Sequence, residues 1–187
     1  YTVLNGGLKS THRFDHDILK FNPTAVLVES LDDSKFWINL NSKLSGNTLS
    51  VEAHVFALKD IPATQLTVHI AVIERIIKIE TGNEGETSFE SVVKTLLPDA
   101  AGTIIYQEWK KDEPRYVKHS WELQHVYNKD ELRVVAFVQD ASTNEIYQAA
   151  FGIIDEIVQP GIDDQPGSRT GRPFKVYPNP AEKTAFI

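Results

Sequence analysis

From Gln65 to Ile79 the chain alternates with a period of two. Leu66, Val68, Ile70 and Val72 fall on one side, Thr67, His69 and Ala71 on the other, and β-branched residues continue through Ile76, Ile77 and Ile79. Val and Ile lose χ1 freedom against a preceding helical turn and pack well on a pleated surface, so this run predicts one long strand rather than a helix. The same period recurs upstream. Phe36, Ile38 and Leu40 alternate with Lys35, Trp37 and Asn39; after Ser45-Gly46-Asn47, Leu49, Val51, Ala53, Val55 and Ala57 alternate with Ser50, Glu52, His54 and Phe56. Two antiparallel strands joined by a short glycine-containing turn fit this pattern.

Downstream, Val117, His119, Trp121, Leu123 and His125 share one face, opposed by Tyr116, Lys118, Ser120, Glu122 and Gln124. Residues 132–138 and 146–151 flank the connection Asp140-Ala141-Ser142-Thr143-Asn144, which predicts a hairpin of two nearly buried strands. One segment reads differently. Phe89, Val92, Val93, Leu96 and Leu97 fall at helical spacing after Ser88, with Glu90 early and Pro98 as a stop, so one short helix is expected there. Six or seven strands with short turns, one local helix and no alternation of strand and helix predict an immunoglobulin-like β-sandwich of about seven antiparallel strands. From Gln159 to Pro173 the composition turns to Pro, Gly, Asp, Ser and Arg, the chemistry of a linker, so the domain is expected to span residues 1–158.

Composition narrows the function classes. With 187 residues, a hydrophobic fraction of 41% and no cysteine, the chain can bury one core but cannot carry a disulfide framework, a thiol nucleophile or a zinc-thiolate site. Nineteen basic residues against 26 acidic give a net charge of −7, and the basic residues are scattered singly, so nucleic acid is not expected as a partner. No run approaches the roughly 18 apolar residues of a membrane span. Tyr1 opens without a Met or a signal segment, which reads as an excised piece of a longer precursor.

The last dozen residues contain Val176-Tyr177-Pro178-Asn179-Pro180-Ala181. Each proline fixes its own φ and pushes the residue before it out of the helical region, so Tyr177 and Asn179 are expected in an extended, kinked strand. Placed after a Gly/Pro-rich linker, residues 174–187 resemble the first strand of the sorting domain read by the type IX (Por) secretion system of Gram-negative bacteria. The resemblance assigns Val176, Tyr177, Pro178, Asn179 and Pro180 to the sorting motif, with the secretion machinery as partner and export across both membranes as the consequence. In that family the domain runs on for several more strands, whereas Ala185-Phe186-Ile187 end this one early, so a truncated signal is expected.

The hairpin carries a second resemblance. Residues 131–140, Glu-Leu-Arg-Val-Val-Ala-Phe-Val-Gln-Asp, followed by Thr143-Asn144-Glu145-Ile146-Tyr147-Gln148-Ala149-Ala150, are similar to the C-terminal part of the outer membrane protein 28 family. The segment from Phe89 to Gly102, read as a helix running into a glycine, sits where that family also has one. The resemblance implies a secreted or outer-membrane-associated surface protein of a Gram-negative bacterium, with an adhesion or receptor role. Family members commonly place a thioredoxin-like domain before this β-rich one; without cysteine no oxidoreductase activity carries over.

Candidate chemistry is sparse. His12 and His16 have the i, i+4 spacing of two imidazoles on one helix face, with Asp15 and Asp17 close by, but Arg13 intervenes and polar surface is the simpler reading. Asp32-Asp33 and Asp163-Asp164 offer hard oxygen ligands that suit calcium, yet each pair lacks further carboxylates and reads as turn residues. His119 and His125 lie by parity beside Trp121, where a half-buried imidazole bonded to a strand neighbour is expected. There is no Gly-x-Ser-x-Gly elbow, His-Glu-x-x-His or phosphate-binding glycine loop, so neither a catalytic set nor a cofactor is assigned.

Aromatics on polar faces are the sharper candidates. Trp37 points opposite Phe36, Ile38 and Leu40, Tyr116 opposite Val117 and Trp121, and Trp109 is expected in a charged loop near Tyr106. Flat rings bordered by amides and carboxylates can stack on sugars or anchor a protein partner, so Trp37, Trp109 and Tyr116 are candidate ligand-binding residues. A loop or helix laid over that face would instead bury Trp37 in the core, the expectation its size favours. The chain is thus expected to be a non-catalytic surface domain for adhesion, receptor or partner binding. A carbohydrate-binding accessory module of a larger secreted enzyme is the alternative, and a hydrolytic domain the third reading.

Overall fold

The computed structural model describes residues 2–7, 13–14, 23–31, 33–79, 85 and 87–156. The sorting motif, the linker, His12, His16, Asp32 and Asp163-Asp164 lie outside the described residues. The elements in chain order are β1 (Thr2–Val3), β2 (Arg13–Phe14), α1 (Pro23–Glu29), β3 (Phe36–Ser45), β4 (Thr48–Ala57), β5 (Ile61–Lys78), β6 (Ser88–Leu97), β7 (Thr103–Trp109), β8 (Pro114–Glu122), β9 (Leu132–Asp140), β10 (Ile146–Ile153) and β11 (Asp155–Glu156). The fold is a mainly β sandwich, as the alternating runs predict.

β5 organises the larger sheet, whose order is β10-β9-β5-β6 with β7 also on β5. On one edge β5 pairs with β9 over Leu66 to Glu74; on the other, its first half takes β7 and its second half β6, all antiparallel. The smaller sheet has the order β11-β3-β4-β8. β3 and β4 form the expected hairpin, closed by Gly46 in the left-handed region at φ 61°. β11 pairs with β3 in parallel, so the chain leaving β10 crosses to the other sheet. Ser42 Oγ donates to the Ile153 carbonyl at 3.2 Å and ties the sheets together at this edge.

The core lies between the sheets. Phe36, Ile38, Leu49, Val51, Ala53 and Val55 face Leu66, Val68, Ile70, Val72, Val134, Ala136 and Val138, all buried. Fully burying such a side chain stabilises by about 1.5–3 kcal/mol, which is why parity, once set, is not easily slipped.

The helix expected over residues 89–97 is instead strand β6. Its register runs from Ile70 opposite Leu97 to Lys78 opposite Ser88, with a bulge where Val72 pairs with Thr95 and Ile73 with Val93. Lys94 is the extra residue. A bulge breaks the period of two, so apolar residues that follow strand geometry fall at helical spacing in sequence. Hydrogen bonds to the edge of β5 and the β-branched Val92 and Val93 outweigh the helical pattern. Among the described residues, the α-helix is α1, away from that segment.

Candidate functional site

The outer face of the smaller sheet carries two of the three candidate aromatics, on strands either side of β4. In β3 the odd positions point outward, in β4 and β8 the even ones, as the alternating burial of each strand shows. Register then lines them up in rows: Trp37 opposite Phe56 and Phe56 opposite Pro114; Asn39 opposite His54 and His54 opposite Tyr116; Asn41 opposite Glu52 and Glu52 opposite Lys118.

Each exposed ring is held by a neighbour. Trp37 is 46% exposed and its ring lies 5.0 Å from that of Phe56, while Tyr116 is 57% exposed and meets the edge of His54 at 4.6 Å. Trp37 is therefore not core, because no loop among the described residues covers its face. The charges beside the rings are ordered too. Glu52 accepts from Lys118 at 2.9 Å and pairs with His54 at 2.8 Å. Bonding to Lys118, more than to His54, holds the Glu52 carboxyl below the usual range. Lys118 Nζ also lies 5.9 Å from the Tyr116 ring centre. Beyond this cluster an open depression of about 570 Å³ is lined by Asn41, Lys43, Ser50, Glu52, Lys118 and Ser120. Pinned rings next to amide, hydroxyl, ammonium and carboxylate groups can stack on a flat apolar surface and hydrogen-bond its polar rim without ordering new side chains.

Trp109 does not belong to this face. It closes β7 with its side chain inward, fully buried and edge-on to Phe36 at 5.1 Å. The charged residues around it form the turn into β8, but β7 pairs with β5 through Ile61 opposite Trp109 and turns the ring into the core. Arg115 covers it at 5.9 Å. A buried Trp109 presents no ring to a ligand, which corrects its candidacy. Tyr106 is 72% exposed, but on the outer face of the larger sheet.

Of the two histidines placed beside Trp121, His119 is structural and His125 is not packed. His119 Nε2 and Thr103 Oγ1 lie 2.9 Å apart, joining β8 to β7 across the sandwich rather than to a neighbouring strand. His125 is exposed beyond the end of β8, with φ 54°. No group of three or more possible metal ligands occurs among the described residues. No helix among them is long and apolar enough to cross a membrane.

What the sequence reading missed is the company of Trp37 and Tyr116. His54 and Phe56 were legible as polar-face members of β4, but the contact of Phe56 with Trp37 depends on the register of the β3–β4 hairpin, and that of His54 with Tyr116 on the β4 to β8 register, which pairs residues far apart in sequence.

No family model and no curated protein matches the chain. Among solved structures it is similar to HBP35 of Porphyromonas gingivalis, with 15% identity over 76% of this chain and 49% of that one and a TM-score of 0.58. A domain of the outer membrane lipoprotein Omp28 from the same organism aligns over 67% of this chain and 92% of its own, with 15% identity and a TM-score of 0.47. The chain spans about half the length of HBP35, and at this identity the likeness to HBP35 is one of fold.

Proposed function

We propose that this chain is a non-catalytic domain displayed at the surface of a Gram-negative bacterium, which binds a partner through the outer face of β3, β4 and β8. The observation that carries the reading is the pair of exposed, neighbour-held rings Trp37 and Tyr116 on the sheet face that also bears the polar depression, Tyr116 one register row and Trp37 two rows from its lining. Surface location is supported by the resemblance of residues 131–150 to the outer membrane protein 28 family. Adhesion, receptor and partner-binding roles all use such a face. The depression lined by Asn41, Ser50 and Ser120 favours a carbohydrate as the second reading, since amides and hydroxyls next to a ring match a sugar's apolar face and hydroxyl rim.

Arrays of glycans and of extracellular matrix proteins test the reading and separate its branches. Binding lost in both Trp37→Ala and Tyr116→Ala at unchanged melting temperature supports it, and binding retained in both overturns it.

Delivery through type IX secretion belongs to the same proposal and rests on Val176 to Pro180. Replacing Tyr177, Pro178 and Pro180 by Ala in the full precursor should retain it in the periplasm of a bacterium that has this system. Surface delivery unchanged by the replacement would remove the sorting role. Limited proteolysis should cut between residues 159 and 173 first; protection there would move the domain boundary.

A further inference from the structure

The outer face of the larger sheet is apolar where a sandwich facing water should be polar. Antiparallel register sets its rows: Phe151, Val135, Ala71 and Leu96 in one; Ala149, Phe137 and His69 in the next; Ile153, Arg133, Ile73 and Val93 in a third. β7 extends it with Ile104 opposite Thr67 and Tyr106 opposite Gln65. The side chains are open to solvent: Phe89 42%, Val93 55%, Ile104 58%, Tyr106 72%, Phe151 60% and Ile153 62% exposed. With large side chains carrying roughly 150–250 Å² each, these six leave on the order of 600 Å² of apolar surface uncovered. Val135, Phe137 and Leu96 fill the gaps between them, half-buried.

We propose that this face is an isologous interface with a second copy of the chain. Three observations favour that occupant. First, the open area approaches the roughly 800 Å² per partner of a stable protein interface and reaches the upper end of what a monomer leaves uncovered. Second, charge permits self-contact. The chain carries 26 acidic residues, yet the outward positions of these five strands hold one carboxylate among the described residues, Glu108, at the margin. Copies with a net charge of −7 repel elsewhere but not across this face. Third, the surface is a twisted antiparallel sheet, and two such faces pack with their strands about 30° apart, a geometry a twofold axis satisfies. Arg133 stands among the apolar rows and Arg75, which is paired with Glu131 at 2.8 Å, lies near Ile73. Partner binding by Trp37 and Tyr116 uses the opposite side of the sandwich, so the two readings stand or fall separately.

Sedimentation velocity of the full chain over a concentration series into the high micromolar range tests the proposal. A species of twice the monomer mass is expected, with Ile104→Glu/Phe151→Glu weakening association at least ~100-fold while far-ultraviolet dichroism stays that of the wild type. Should that variant fail to fold, Ile104→Ser and Phe151→Ser singly are expected to weaken it ~10-fold each. A monomer throughout the series overturns the proposal. So does a dimer of unchanged affinity in the folded variants, or a monomer that sediments with lipid vesicles through this face.

Discussion

Glu74 on β5 and Lys94 at the bulge of β6 meet at 3.3 Å, with the Glu74 side chain fully buried and that of Lys94 8% exposed. Glu74 also accepts from the Tyr127 and Asn128 backbone N–H groups at 3.2 and 2.5 Å, so one carboxylate clips the β8 to β9 connection onto the sheet. The residue that breaks the β6 pattern is thus the one that neutralises the buried charge. Lys94→Met leaves that charge without its counterion and is expected to cost about 3–5 kcal/mol in urea denaturation. Adding Glu74→Gln removes the charge while keeping an acceptor, so the double variant should be the more stable of the two. A single Lys94→Met variant of wild-type stability would show that the pair is not closed in solution.

Gly102 is placed by a different constraint. Its φ is +69°, and a Cβ there would lie 2.8 Å from both His69 Nδ1 and Thr67 Cγ2. Both the left-handed backbone and the contact with β5 exclude a side chain. Gly102→Ala should therefore lower stability by about 2 kcal/mol in thermal denaturation. A loss confined to a few tenths would mean that β7 enters the sheet by another path.

Acid stability should track the β9 to β10 turn. Asp140 Oδ1 accepts from the Ser142 hydroxyl and from the Ser142 and Thr143 N–H groups, and Oδ2 from Tyr147 Oη at 3.0 Å. Ser142 foremost holds the Asp140 carboxyl below its usual range. A depressed folded value means stability that is complete above the unfolded value near pH 4 and lost as pH falls through the folded one. Burial, then Asp140, pushes Tyr147 up to about 12. That contribution runs the other way, complete below the ordinary tyrosine value of about 10 and lost as pH rises through the folded one. Asp140→Ala should cost about 2–3 kcal/mol at neutral pH and flatten the acid limb of the urea midpoint profile. An acid limb unchanged in the variant would assign the loss to other carboxylates.

Trp37 and Trp109 should separate in stability. Trp109→Ala empties a core position and is expected to cost about 3–5 kcal/mol, whereas Trp37→Ala should stay within about 1 kcal/mol of wild type. Equal melting temperatures would contradict their placement.

Those two residues also show what the sequence carries. β3, β4 and β5 were legible because their alternation runs on to short turns, and β9 and β10 because apolar runs flank a short polar connection; β10 is nevertheless not nearly buried, since it bulges between Ile146 and Gln148 and exposes Ala149, Phe151 and Ile153 on the outer face. β6 was not legible, because Lys94 shifts the phase, and β7 was not, because Ile104 and Tyr106 are apolar on the outward side and hide the inward Ile105 and Trp109. The outward placement of Trp37 and Tyr116 was legible by parity alone. Whether a given face is covered depends on long-range packing, which left Trp37 expected in the core and Trp109 on the surface, the reverse of their positions.

Binding by the outer face of β3, β4 and β8 is tested most directly by titrating array-positive ligand against wild type, Trp37→Ala and Tyr116→Ala by calorimetry. Removing either ring should weaken affinity by about 1–3 kcal/mol with folding intact, as expected for an aromatic anchor. Equal affinity in all three proteins would contradict the assignment of this face.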